Sequence, residues 1–172
     1  SFPLRFLCLL IVIAAIVAAL TMFFRIDTIV VEGNARYTDE QIIEAAGVQK
    51  EQNLVLLNKY NVKQAIFDQL PYVETVVMNR KYPDALILTV TECAASAALP
   101  GAGGTWLVSD TGKILERTAQ LPEGCVSVTG CELVEPSVGA QAAFSDEDSY
   151  KLDRLLTLLH AAEEKQLLSM IG

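Results

Sequence analysis

The sequence predicts an α+β protein with a single transmembrane helix, a small strand–helix–helix–strand–strand module, and a truncated β-rich domain carrying an amphipathic helix. Three observations predict it. Residues 6–24 contain no charged side chain although a fifth of the chain is charged. Between residues 26 and 92, β-branched runs alternate with capped, helically spaced apolar residues. Beyond residue 92, short strand and turn signatures recur until a Leu-rich helical pattern closes the chain. The expected divisions are an anchor over 1–25, a first domain over 26–92 and the beginning of a second over 93–172.

The anchor comes first. Phe6 to Phe24 is nineteen residues, or roughly 28 Å of helix, close to the ~30 Å hydrocarbon core of a bilayer. Phe6, Leu7, Leu10, Ile13, Ile16, Leu20, Phe23 and Phe24 are its expected lipid-facing residues, and Arg5 and Arg25 bracket it where they can snorkel. A signal peptide competes with this reading, through the small-x-small site Val17-Ala18-Ala19, but cleavage there would leave Leu20 to Phe24 exposed. A buried soluble helix would rarely be apolar all round. One Arg on each flank leaves the orientation open.

In the first domain, Ile26 to Glu32 reads as a strand ending at the turn pair Gly33-Asn34. Thr38-Asp39-Glu40-Gln41 has capping-box spacing, Ile42, Ile43 and Ala46 supply an apolar face, and Gly47 is placed to end that helix. Asn53 to Asn58 is a short apolar connection. Asn61 is the expected cap of a second helix bearing Val62, Ala65, Ile66 and Leu70, stopped by Pro71. Tyr72–Arg80 and Asp84–Glu92 follow as strands around a Pro83-Asp84 bend, with Leu86, Leu88 and Val90 on one face.

In the second domain, Ala94 to Gly104 reads as a flexible linker because it is rich in Ala and Gly. Trp106–Ser109 and Lys113–Glu116 flank Asp110-Thr111-Gly112 as a hairpin, and Cys125–Gly130 reads as a strand and turn. Ser145 is the expected cap of a helix with Asp146, Glu147 and Asp148 in its first turn. Leu152, Leu155, Leu156, Leu159, Ala162 and Leu167 would form its apolar face. Ser1 in place of Met, and an end directly after this pattern, predict a fragment at both ends.

The net charge is −8, and an acidic surface repels phosphate backbones, so nucleic acid is not an expected partner. Cys8, Cys93, Cys125 and Cys131 with the lone His160 match no zinc-ligand spacing. A Cys125–Cys131 disulfide and free thiols both remain open. His160 has no neighbouring nucleophile in the sequence, and Gly101-Ala102-Gly103-Gly104 lacks the Lys-Ser/Thr of a phosphate loop. The acid clusters, Glu163-Glu164 included, fit helix ends and solvated faces. No catalytic set, cofactor site or metal site is expected.

Several stretches taken in order resemble one family. These are Val31-Glu32-Gly33-Asn34 with Arg36-Tyr37-Thr38, Leu70-Pro71-Tyr72-Val73-Glu74, and Arg80-Lys81-Tyr82-Pro83-Asp84. Leu88-Thr89-Val90-Thr91-Glu92, Trp106 to Gly112, and Leu121-Pro122 with Val128-Thr129-Gly130 continue the series. Together, behind a lone apolar span, they resemble the bacterial cell-division proteins FtsQ/DivIB. Cys93 to Ala97 departs from the family, where a Pro-containing link is usual, and the C-terminal strands of the family's second domain are missing.

The resemblance implies a bitopic protein of the bacterial cytoplasmic membrane, with its N-terminus cytoplasmic and a POTRA domain followed by a β domain outside. It implies a non-enzymatic scaffold at the division septum that binds FtsB/DivIC-like and FtsL-like partners and other divisome proteins. Through them it would help control septal peptidoglycan synthesis. The physical route is strand addition at a sheet edge. In POTRA order the strand holding Val76, Val77, Met78 and Asn79 is such an edge, and Val77→Pro is expected to weaken recruitment by removing a donor and disrupting the edge. Packing against the two helices alone is the competing role for those residues. A POTRA-bearing transport or chaperone factor is the alternative function, for which several such repeats or a barrel of alternating strands would be needed. An anchored envelope hydrolase would need a catalytic set, and the sequence offers none.

Overall fold

A computed structural model describes residues 2–146 and 148–164 of the chain. It is an α+β structure of four helices and seven strands among the described residues, in two compact units. Residues 1–66 with 75–91 form the first unit, and residues 67–74 with those from 92 onward form the second.

The first unit opens with α1 (Phe2–Phe23), whose side chains from Leu4 onward are exposed along its length. β1 (Thr28–Glu32) starts two residues later than the β-branched run, because Ile26 and Asp27 are tied elsewhere. The Ile26 N–H donates to the Gln52 carbonyl at 2.9 Å and the Asp27 N–H to the Asp84 carbonyl at 2.8 Å. α2 (Asp39–Ala46) has the expected capping box. Thr38 Oγ1 accepts from the Gln41 N–H at 3.3 Å, and Gln41 Oε1 accepts from the Thr38 N–H at 2.9 Å. Gly47 closes the helix at φ +64°, a left-handed conformation that costs glycine little.

α3 (Lys59–Gln69) corrects one expectation. Asn58, not Asn61, is at its start, its Oδ1 accepting from the Tyr60 N–H at 2.9 Å and the Asn61 N–H at 3.4 Å. Two Asn residues lie within one turn of each other, and starting at the earlier one adds a turn of backbone bonding. The Val62 N–H bonds to the Asn58 carbonyl as that turn requires.

β2 (Val73–Lys81) and β3 (Ala85–Glu92) follow, separated by a turn with a cis Tyr82–Pro83 bond. The sheet order is β1-β3-β2, with β1 parallel to β3 in the register Thr28↔Ala85 to Glu32↔Thr89. So short a connection makes β2 and β3 antiparallel. Leu86, Leu88 and Val90 are buried on the predicted face, together with Ile42, Val62, Ile66 and Met78. Each such side chain contributes about 1.5–3 kcal/mol through removal from water.

The second unit carries a four-stranded sheet in the order β6-β5-β4-β7. β5 (Gly104–Val108) and β6 (Ile114–Thr118) are the expected hairpin, and β7 (Val126–Ser127) lies in the expected Cys125–Gly130 stretch. The segment read as a linker is instead β4 (Ala97–Gly101), a central strand antiparallel to β5 and parallel to β7. Ala97, Ala98 and Leu99 are fully buried there. Alanine has low strand propensity, so pairing on both sides rather than local preference decides this strand.

α4 (Ser149–Glu164) also starts later than expected. Ser145 lies in a turn before it, its carbonyl accepting from the Asp148 N–H at 2.9 Å, and α4 has no acid in its first turn. Leu159 is buried and Leu152, Leu155, Leu156 and Ala162 are half-buried, as the helical spacing predicted, while Glu147 and Leu167 lie outside the described residues. Leu152 and Leu155 pack on the core of Leu99, Val108, Ile114, Leu133, Ala142 and Phe144.

Candidate partner-binding edge and apolar helix

β2 ends the order β1-β3-β2, so one of its sides has no neighbouring strand among the described residues. Exposure alternates regularly from Thr75 to Asn79. Val76 and Met78 point into the core, both 2% exposed, whereas Val77 is 48% exposed. Asn79 and Thr75 are exposed on the same face as Val77. Of the four residues expected at the edge, Val77 and Asn79 therefore present side chains to solvent, and Val76 and Met78 do not. Thr75 belongs to the exposed set and was missed, although alternation from Val76 would have found it.

The direction of the backbone groups follows from register. The Thr28 N–H donates to the Asp84 carbonyl, so even-numbered residues of β3 point their backbone groups at β1. Odd-numbered residues of β3 consequently face β2. In an antiparallel pair, opposed residues share a face, so the outward-facing Ile87 and Thr89 oppose odd-numbered β2 residues. The N–H of Val77 thus points into the ladder, and those of Val76 and Met78 point outward. Val77→Pro would remove a bond to β3 rather than an outward donor, contrary to the expectation from sequence. Near the start of β2 this phase breaks. Tyr72 and Val73 are both buried, and the Tyr72 carbonyl takes the Cys93 N–H at 2.9 Å.

In α1, Phe6, Leu7, Leu10, Ile13, Ile16, Leu20 and Phe23 are all exposed and Phe24 is half-buried. Leu4–Phe23 is long and apolar enough to cross a membrane, with none of it buried in the protein. An all-round apolar exposed helix is compatible with a bilayer as its surroundings.

The second unit holds a partly buried polar cluster. Lys113 Nζ donates to the Val73 carbonyl at 2.7 Å and lies 5.3 Å from the centre of the Phe67 ring. The Tyr72 hydroxyl donates to Glu116 Oε1 at 2.7 Å. The Cys93 thiol is pushed up to about 11 by burial first and then by the Glu74 charge. Burial likewise raises Cys125, whose Sγ donates to the Ala95 carbonyl at 3.0 Å, and Cys131. Protonated thiols are poor nucleophiles. All four cysteines are free, so no Cys125–Cys131 bond is present. Among the described residues no three His, Cys, Asp or Glu side chains group as a metal site. His160 Nδ1 lies 3.0 Å from Asp110 Oδ2 on an exposed stretch of α4. Lys113 was not anticipated; a cation between the hairpin glycine and two apolar residues was the available signal.

Residues 24–92 match the family model described as "POTRA domain, FtsQ-type". The chain is 28% identical over 124 residues to the "Cell division protein FtsQ" of Corynebacterium glutamicum, covering 72% of this chain and 54% of that protein. It is 24% identical over 131 residues to the "Cell division protein DivIB" of Clostridium botulinum, covering 76% and 51%. A third relative, the "Cell division protein FtsQ" of Bradyrhizobium diazoefficiens, is 29% identical over 96 residues, 54% of this chain and 27% of that one. The chain spans about half the length of the first two of these relatives. Fold and matched segment define an α+β protein in which an apolar N-terminal helix runs into a POTRA domain. It belongs to the FtsQ/DivIB family.

Proposed function

We propose that this chain is a non-enzymatic scaffold of bacterial cell division. Residues 1–25 anchor it as a single-pass protein of the cytoplasmic membrane at the septum, N-terminus inside. The POTRA domain, 26–92, and the part of the β domain in 93–172 lie outside. It binds FtsB/DivIC-like and FtsL-like partners and so helps control septal peptidoglycan synthesis. The names of the relatives support the division role.

The observation that carries the partner-binding reading is the free side of β2. Outward donors at Val76 and Met78 flank an exposed Val77, with Thr75 and Asn79 beside it. An extended partner segment gains ladder bonds there and side-chain contact with that face. Val77→Lys places a charge beside the edge without touching the core, a device by which natural edges resist pairing. Recruitment of the FtsB-like or FtsL-like partner is expected to fall while the circular dichroism spectrum stays the same. Undiminished recruitment by the folded variant would refute the proposed use of this edge.

A further inference from the structure

The loop after α2 runs back along the apolar helix. Val17, Leu20, Thr21 and Phe24 of α1 line one side of a cavity of about 230 Å³, and Asn53, Val55 and Leu56 line the other. Val17 precedes Phe24 by seven positions, about 10 Å along a helix axis. The loop therefore lies beside the last two turns of α1 rather than beyond its end. The attachment is built from backbone. The Leu54 N–H donates to the Phe24 carbonyl at 2.8 Å, and Leu54 itself is fully buried.

The tip is suited to an apolar layer. Leu56 is 78% exposed and Val55 46%. Their two N–H groups are both taken by Asn53 Oδ1, at 3.1 Å and 2.9 Å, and the Leu57 carbonyl is bonded by Arg80. Bonded backbone groups can enter hydrocarbon at far lower cost than free ones. Around the same end of the helix, the Phe24 ring meets Tyr82 edge-on at 5.6 Å, and Tyr82 and Tyr60 are exposed aromatics of the kind found at membrane interfaces.

We infer that the loop Asn53–Leu57 is a membrane wedge: its tip, Val55-Leu56, enters the leaflet beside α1, and lipid acyl chains fill the cleft between them. The inference rests on the reading of α1 as a membrane span. If Phe23 marks the edge of the hydrocarbon, Leu20 is about 5 Å inside it, and the loop that shares its cavity lies at similar depth. The POTRA domain is then held to the bilayer at two points, the span and the wedge, which limits its swing about the end of the helix.

The test uses tryptophan depth in vesicles. The whole chain carrying Trp106→Phe, which removes the single Trp, is reconstituted into phosphatidylcholine vesicles with or without acyl chains brominated near their headgroup end. Leu20→Trp reports the span and Leu56→Trp the wedge. Both tryptophans are expected to emit at short wavelength and to lose most of their emission to the brominated lipid. Quenching of Leu20→Trp with a water-like, unquenched Leu56→Trp would overturn the wedge and leave the span standing. Failure of both to quench would overturn the span reading, and the wedge with it. Val55→Trp provides a second reporter at the tip should Leu56→Trp disturb the loop, as judged by circular dichroism.

Discussion

Val77→Pro tests the phase of the β2 ladder, on which the choice of outward donors depends. Register places the Val77 N–H against β3, so proline there leaves a carbonyl of β3 without its donor. A lost donor opposite a partly buried acceptor costs about 1–3 kcal/mol. Side-chain packing contributes less, because Val77 is already 48% exposed. Val77→Ala, which keeps the N–H, isolates that smaller part at about 1 kcal/mol. The proline variant is therefore expected to cost about 2 kcal/mol more than alanine, a clear shift of the urea midpoint followed by far-ultraviolet circular dichroism. Amide exchange provides the complementary readout: Val77 slow, Val76 and Met78 fast although their side chains are buried. Proline no more damaging than alanine, with Val77 exchanging quickly, would refute the assigned phase and move the outward donors to the odd-numbered positions.

Further outcomes follow from other parts of the structure. Leu99→Ala should destabilise the second unit by about 2–5 kcal/mol in urea unfolding, because Leu99 is a core residue of a central strand; a negligible loss would return residues 97–101 to the status of a linker. Gly47→Ala should cost about 1 kcal/mol, since only its φ of +64° opposes a side chain and nothing lies within 4 Å. Gly33→Ala should cost distinctly more in the same assay, because its Cβ would sit 2.2 Å from the Val90 carbonyl oxygen. Equal costs would contradict the close approach of β1 and β3. Cys93 should alkylate slowly at neutral pH and accelerate only as pH climbs toward about 11. Its raised value means the folded state holds the thiol proton more tightly. Its contribution to stability is thus complete below 9.0 and is lost as pH rises from there through about 11. Rapid alkylation of the folded chain at neutral pH would refute that assignment.

The elements legible in the sequence are those fixed by local chemistry. Thr38 and Gln41 cap each other across three residues, and Leu86, Leu88 and Val90 alternate cleanly, so α2 and β3 could be read without knowing their neighbours. Asn58 and Asn61 offer equivalent caps one turn apart, and only the course of the chain before α3 separates them. β4 was illegible because its alanines carry no strand preference; its identity lies in bonds to β5 and β7. The candidate edge was half legible. The sequence marked Val76 to Asn79 as strand, but which backbone groups face outward depends on β1–β3 register, which no local pattern encodes. The loop beside α1 was read only as an apolar connection, since Leu56 reveals its setting only once Leu54 is tied to Phe24.

The central claim, a division scaffold of the FtsQ/DivIB family, is tested most directly by where the protein goes in living cells. A fluorescent fusion to the protein, followed through the cell cycle, is predicted to form a band at mid-cell before constriction begins. An even distribution around the envelope throughout the cycle would contradict the claim and favour a transport or chaperone role for the POTRA domain.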